Sequence, residues 1–90
     1  WAVEVVDDEI QVDRAFRYDL ELDASGTPTV CYADDSGLYI ARPDGDGWTR
    51  ELQLADAGVR GCALAFRGAD VHLLYVQVDP DNVARLRYYR

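Results

Sequence analysis

Polar and apolar residues alternate along most of this chain with a period of two. Asp19-Leu20-Glu21-Leu22-Asp23 alternates strictly and stops at Ala24-Ser25-Gly26-Thr27-Pro28, a run of turn formers. Thr29-Val30-Cys31-Tyr32-Ala33 is β-branched and aromatic and ends at Asp34-Asp35-Ser36-Gly37. Leu38-Tyr39-Ile40-Ala41-Arg42 follows, then the turn Pro43-Asp44-Gly45-Asp46-Gly47, then Trp48-Thr49-Arg50-Glu51-Leu52-Gln53-Leu54. Side chains two apart share one face of a strand, so each run offers one face to a core. Short runs of this kind, about 8–12 residues apart with turn chemistry between them, predict an antiparallel all-β fold. The best helical stretch, residues 52–59, is interrupted by Gly58 and followed by Gly61, so no helix is expected.

The chain also matches itself. Trp1-Ala2-Val3-Glu4-Val5-Val6 parallels Trp48-Thr49-Arg50-Glu51-Leu52-Gln53, with Trp and Glu at the same offset. Leu20-Glu21-Leu22 parallels Leu64-Ala65-Phe66, and each precedes a glycine turn at Gly26 or Gly68. Val30-Cys31-Tyr32 parallels Leu73-Leu74-Tyr75, and Leu38-Tyr39-Ile40-Ala41-Arg42 parallels Leu86-Arg87-Tyr88-Tyr89-Arg90. The four matches keep their order at offsets of 43 to 48 residues. Four strands per unit at such a period are the signature of β-propeller blades.

These residues resemble a bacterial family of β-propeller repeats, whose blade reads roughly strand-Asp-x-x-Gly-x-Pro-His, a strand with Tyr, Asp and a turn, then Leu-x-Tyr-Ala and Gly-x-Trp-x-x-Glu. The first unit resembles it through Leu22, Asp23, Gly26, Pro28, Tyr32, Leu38, Tyr39, Gly47, Trp48 and Glu51. The second does so through Leu64, Gly68, His72, Tyr75, Leu86 and Tyr88. The chain departs at Thr29, where the family often has His, and at Asp70-Val71, where its Pro is missing. The resemblance implies two four-stranded blades, with repeats at about 1–47 and 48–90, in circularly shifted register. Residues 1–6 would then be the outer strand of a blade whose other strands come from residues 62–90 of a neighbouring subunit. Two blades cannot close a ring, since propellers typically need about 4–8. A closed homo-oligomer is expected, a trimer of six blades ahead of a tetramer; the alternative is a fragment of a larger propeller.

Composition narrows the partners. The 90 residues carry seventeen acidic side chains against nine basic ones, for a formal charge of −8. That field opposes nucleic acid and anionic membrane surfaces. All nine basic residues are Arg, which pairs with carboxylates through a planar fork. Cys31 and Cys62 lack metal-ligand spacing and His72 is the only histidine, so no metal or cofactor is expected. Both cysteines lie in apolar strand patterns and read as buried free thiols, with a Cys31–Cys62 disulfide as the alternative. Asp34-Asp35-Ser36, Asp44-Gly45-Asp46-Gly47 and Asp79-Pro80-Asp81-Asn82 lack a calcium loop and read as turns.

Enzyme signatures are missing: no Gly-x-Ser-x-Gly elbow, phosphate loop or His-Glu-x-x-His. Trp1, Trp48 and the repeated tyrosines read as packing groups, and His72 as a hydrogen-bonded structural imidazole. Propellers of the resembling family serve as sialidase-like enzymes, lectins and scaffolds, so fold alone does not choose among them. The expected function is a non-catalytic binding module, lectin-like, for a glycan or other polar small ligand. A protein-interaction ring is the alternative, with a sialidase-like enzyme behind it. The expected ligand groove joins Arg14, Arg17 and Arg60, in strand connections, to the Asp34-Asp35 hairpin, Arg donating and Asp accepting. The long connection at residues 7–17 points there, because loops on a rigid sheet carry function. Asp44-Gly45-Asp46-Gly47-Trp48 also resembles a turn of small fucose-binding lectins, but Val30-Cys31-Tyr32 and Leu73-Leu74-Tyr75 lack their arginine. That likeness implies assembly and not fucose.

Overall fold

In the computed structural model, which describes residues 3–10 and 17–90, the alternating runs become seven strands. They are β1 (Tyr18–Leu22), β2 (Pro28–Asp34), β3 (Gly37–Asp44), β4 (Gly47–Leu54), β5 (Val59–Arg67), β6 (Asp70–Val78) and β7 (Ala84–Tyr89). Each follows its predecessor into an antiparallel meander, giving one sheet in the order β1-β2-β3-β4 and a second in the order β5-β6-β7. Three two-residue loops set the register, closing on the pairs Asp34↔Gly37, Asp44↔Gly47 and Arg67↔Asp70. Gly45 and Gly68 hold φ at +60°, the left-handed backbone that such tight hairpins require. The all-β expectation is met, and no helix forms among the described residues.

Period two then decides which side chains meet. In the first sheet Cys31, Ala33, Leu38 and Ile40 share one face; in the second, Leu64, Leu73 and Tyr75 share one. These two faces pack on each other and form the core together with Val59. Leu38 and Leu73 are fully buried, each worth about 1.5–3 kcal/mol of transfer free energy. The closest approach between the sheets runs along β5 against β1 and β2. There the Asp19 carboxylate accepts the Leu64 amide at 2.8 Å, so the first strands of the two meanders are bonded edge to edge.

One expectation is corrected here. Cys31 and Cys62 are a disulfide, not free thiols, with Cα atoms 6.2 Å apart across the interface between β2 and β5. Alternation places each cysteine on a core face, but only the docked sheets show that the two faces oppose one another. Within the single chain residues 3–6 pair with no strand, and Val3 is 94% exposed. Trp1 lies outside the described residues.

Candidate functional site

The sheets present two ends. One carries the β2–β3 and β6–β7 turns and the starts of β1 and β5. The other carries the β1–β2, β3–β4 and β5–β6 turns.

The expected groove maps to the first end, which carries the start of β1, the start of β5 and the β2–β3 turn. Arg17 immediately precedes β1, and its aliphatic carbons lie over Gly61, where a Cβ would come within 3.2 Å of them. Arg60 is not in a connection: it lies within β5, beside the irregularity between Val59 and Gly61, and donates to the Ala57 carbonyl at 2.7 Å. Asp34 is buried rather than a free surface acceptor, and its Oδ1 takes the Ser36 and Gly37 amides at 2.7 and 3.2 Å. Asp35 is exposed in the turn. Arg14 lies outside the described residues.

The amino-terminal part of the connection that drew attention by its length lies elsewhere, over the outer face of the first sheet. Residues 5–10 lie there against Tyr18, Val30 and Tyr32, around a space of about 320 Å³. The Asp7 side chain is only 2% exposed. It accepts the Tyr32 hydroxyl at 2.7 Å and is paired with Arg50, whose second nitrogen reaches Glu9 at 3.0 Å. Arg50 also sits 5.8 Å above the Tyr39 ring, which stacks on Tyr32 at 5.3 Å. Burial works to raise the Asp7 carboxyl, but the Tyr32 hydroxyl, the Glu9 amide and Arg50 together hold it below the ordinary carboxylate value. Burial and the Asp7 carboxylate push the Tyr32 phenol upward, and the hydrogen bonds to Asp7 and Glu9 raise Arg50. An ionised Asp7, a neutral Tyr32 and a charged Arg50 together clasp this segment to the sheet.

The opposite end opens as a cleft of about 300 Å³ between the sheets, lined by Asp23, Ala24, Ser25, Arg42, Phe66, Gly68, Ala69 and Val71. Asp23 builds the β1–β2 turn: its Oδ1 accepts the Ser25 amide, the Ser25 hydroxyl and the Thr27 amide at 2.9, 2.7 and 2.9 Å. The Ser25 hydroxyl, the Thr27 and Ser25 amides and the charge of Arg42 lower its pKa. Arg42 comes from β3 and Phe66 from β5, so a cation and an aromatic ring line one cleft only because the sheets dock. The sequence reading passed over both. The available signal was that Arg42 shares the core-face parity of Ile40, where a cation has no bland packing role.

The remaining turns match their sequence reading. Asp79 accepts the Asp81 and Val83 amides at 3.1 and 3.0 Å and pairs with Arg85, closing the β6–β7 turn. His72 is hydrogen-bonded to the Tyr88 hydroxyl and stacked on its ring. Compared with family models, curated proteins and solved structures, the chain matches none.

Proposed function

We propose that this chain is a pair of β-propeller blades acting as a non-catalytic binding module for a polar small ligand, in a ring completed by further copies. The observation that carries the reading is the Asp19–Leu64 bond between β1 and β5. It puts the first strands of two successive meanders side by side, as innermost strands of neighbouring blades would be. The outer faces support the same reading. Tyr18, Leu20 and Leu22 on the first sheet and Leu74, Leu86 and Tyr88 on the second are exposed. Register puts each set on the face opposite the core. A second copy that laid its first sheet on this chain's second would repeat the contact already made inside the chain, and repetition with rotation closes a ring.

Residues 5–10 occupy part of that first outer face, so assembly requires them to be displaced or sandwiched between copies. Light scattering of the chain tests the ring: a mass of three or four copies is expected, and a stable monomer at every concentration would refute it. A glycan array tests the ligand class separately, and silence there favours a ring that binds protein instead. The exposed apolar faces are the observation on the side of that second reading.

A further inference from the structure

We infer that the cleft between the sheets, with Arg42, Asp23 and Phe66 at its mouth, is the ligand site, and that it takes one ring of a neutral sugar. The inference rests on the binding-module reading above and gives it a place and a ligand class. The Arg42 guanidinium, close enough to Asp23 for its charge to be felt there, makes no side-chain hydrogen bond to any described residue, although the chain carries nearly twice as many carboxylates as guanidinium groups. An Arg left without a fork partner in so acidic a protein keeps its donors for something else. Asp23 spends its Oδ1 on the β1–β2 turn, while its Oδ2 receives none of those bonds. The turn thus fixes the carboxylate rigidly and leaves one oxygen as an acceptor.

A fixed donor fork and a fixed acceptor oxygen on one rim suit vicinal hydroxyl groups, which both accept and donate. The Phe66 ring, with Val71, Ala24 and Ala69, supplies the apolar wall against which the C–H face of a sugar ring packs. About 300 Å³ is at the lower limit for small-molecule sites, roughly 300–1,000 Å³, which fits one ring and not a chain of them. Charge sets the class. Arg42 alone would attract a carboxylate or a phosphate, but the Asp23 carboxylate beside it and the net charge of −8 both repel an anion. Thr29 adds a neighbouring polar group: one place beyond the Val30↔Ala41 pair it faces Arg42 across β2 and β3, and its buried hydroxyl has no partner.

The test uses the full chain, labelled with nitrogen-15, and titrates it with glucose, galactose, mannose and fucose, and with glucuronate as the anionic counterpart. Saturable shifts are expected for at least one neutral sugar at the amides of Ser25, Arg42, Gly68 and Ala69. Arg42→Ala, and Arg42→Lys, which keeps the charge but loses the fork, should each weaken that binding by about tenfold or more. Shifts confined to Asp35, Ser36 and Arg60 would overturn this site while leaving a binding module with its pocket at the other end. Tighter binding of glucuronate than of every neutral sugar would overturn the ligand class. No shift with any sugar well above millimolar concentration would overturn both the site and the glycan reading, while light scattering judges the ring independently.

Discussion

The two sheets are built from matching strands, yet they are protected differently. In the first, Cys31 to Asp34 of β2 are buried, and β3 is buried over most of its first five residues. In the second, β6 is buried only at Leu73, and β7 is exposed at every position. Hydrophobicity does not explain this, since Leu73-Leu74-Tyr75 is as apolar as Val30-Cys31-Tyr32. Cover does. The first sheet has a fourth strand on its edge and residues 5–10 clasped over its outer face, whereas the second has neither among the described residues. A middle strand is buried when both its edges and both its faces are occupied.

The largest effect should come from the link between the sheets. Cys31→Ala with Cys62→Ala opens a loop of 31 residues, and loss of about 3–4 kcal/mol is expected. Hydrogen exchange should rise most in β5 to β7, because among the described residues the second sheet is covered by the first alone. Equal loosening of both sheets would end the claim of asymmetry.

Next in size is a pair of leucines one residue apart in β6. Leu73 is 0% exposed and Leu74 is 42% exposed. Thermal melting should show a cost of about 2–5 kcal/mol for Leu73→Ala, against less than about 1 kcal/mol for Leu74→Ala in the isolated chain. Dilution-dependent light scattering sharpens this: Leu74→Ala should weaken assembly, which Leu73 does not touch.

The clasp comes third. Asp7→Ala leaves the Tyr32 hydroxyl without its acceptor and Arg50 with Glu9 alone, and should cost roughly 1–3 kcal/mol, read by melting. It should also favour assembly by freeing the first sheet's outer face. The pH dependence has a definite sign. The folded-state pKa of Asp7 is depressed, so its stabilisation is complete above the ordinary carboxylate value of about 3.9 and is lost as pH falls below it. Acid titration followed by tyrosine fluorescence should report release in that range, and Asp7→Asn should abolish the transition.

Smallest of all is the contrast between two neighbours in the β2–β3 turn. Asp34→Ala removes the acceptor of two turn amides and should cost about 0.5–2 kcal/mol. Asp35→Ala, on the exposed side, should stay within about 0.5 kcal/mol by the same melting assay.

Strand positions were legible because period two and the Gly, Asp and Pro turns are local signals; β1 to β4 fall within a residue or two of their alternating runs. What the sequence hides is what crosses between elements. The Cys31–Cys62 pairing, the Arg42–Phe66 juxtaposition and the Asp7–Tyr32–Arg50 clasp all join residues far apart in the chain, and no spacing rule specifies them. The burial of Asp34 was hidden for a different reason. An Asp in a turn can be a buried cap or a surface acceptor, and its neighbours do not say which.

The disulfide also imposes an order of events. As the chain emerges from its amino end, β1 to β4 are complete before Cys62 is made, so Cys31 must wait as a thiol inside a sheet that is already pairing. It finds its partner only when β5 lies down along β1 and β2. Oxidation therefore records docking of the sheets, and a chain stopped after Leu54 would leave synthesis with a reactive cysteine. Mobility on a non-reducing gel, sampled during refolding, would read that docking step directly, with the chain's own two sulfur atoms as the clock.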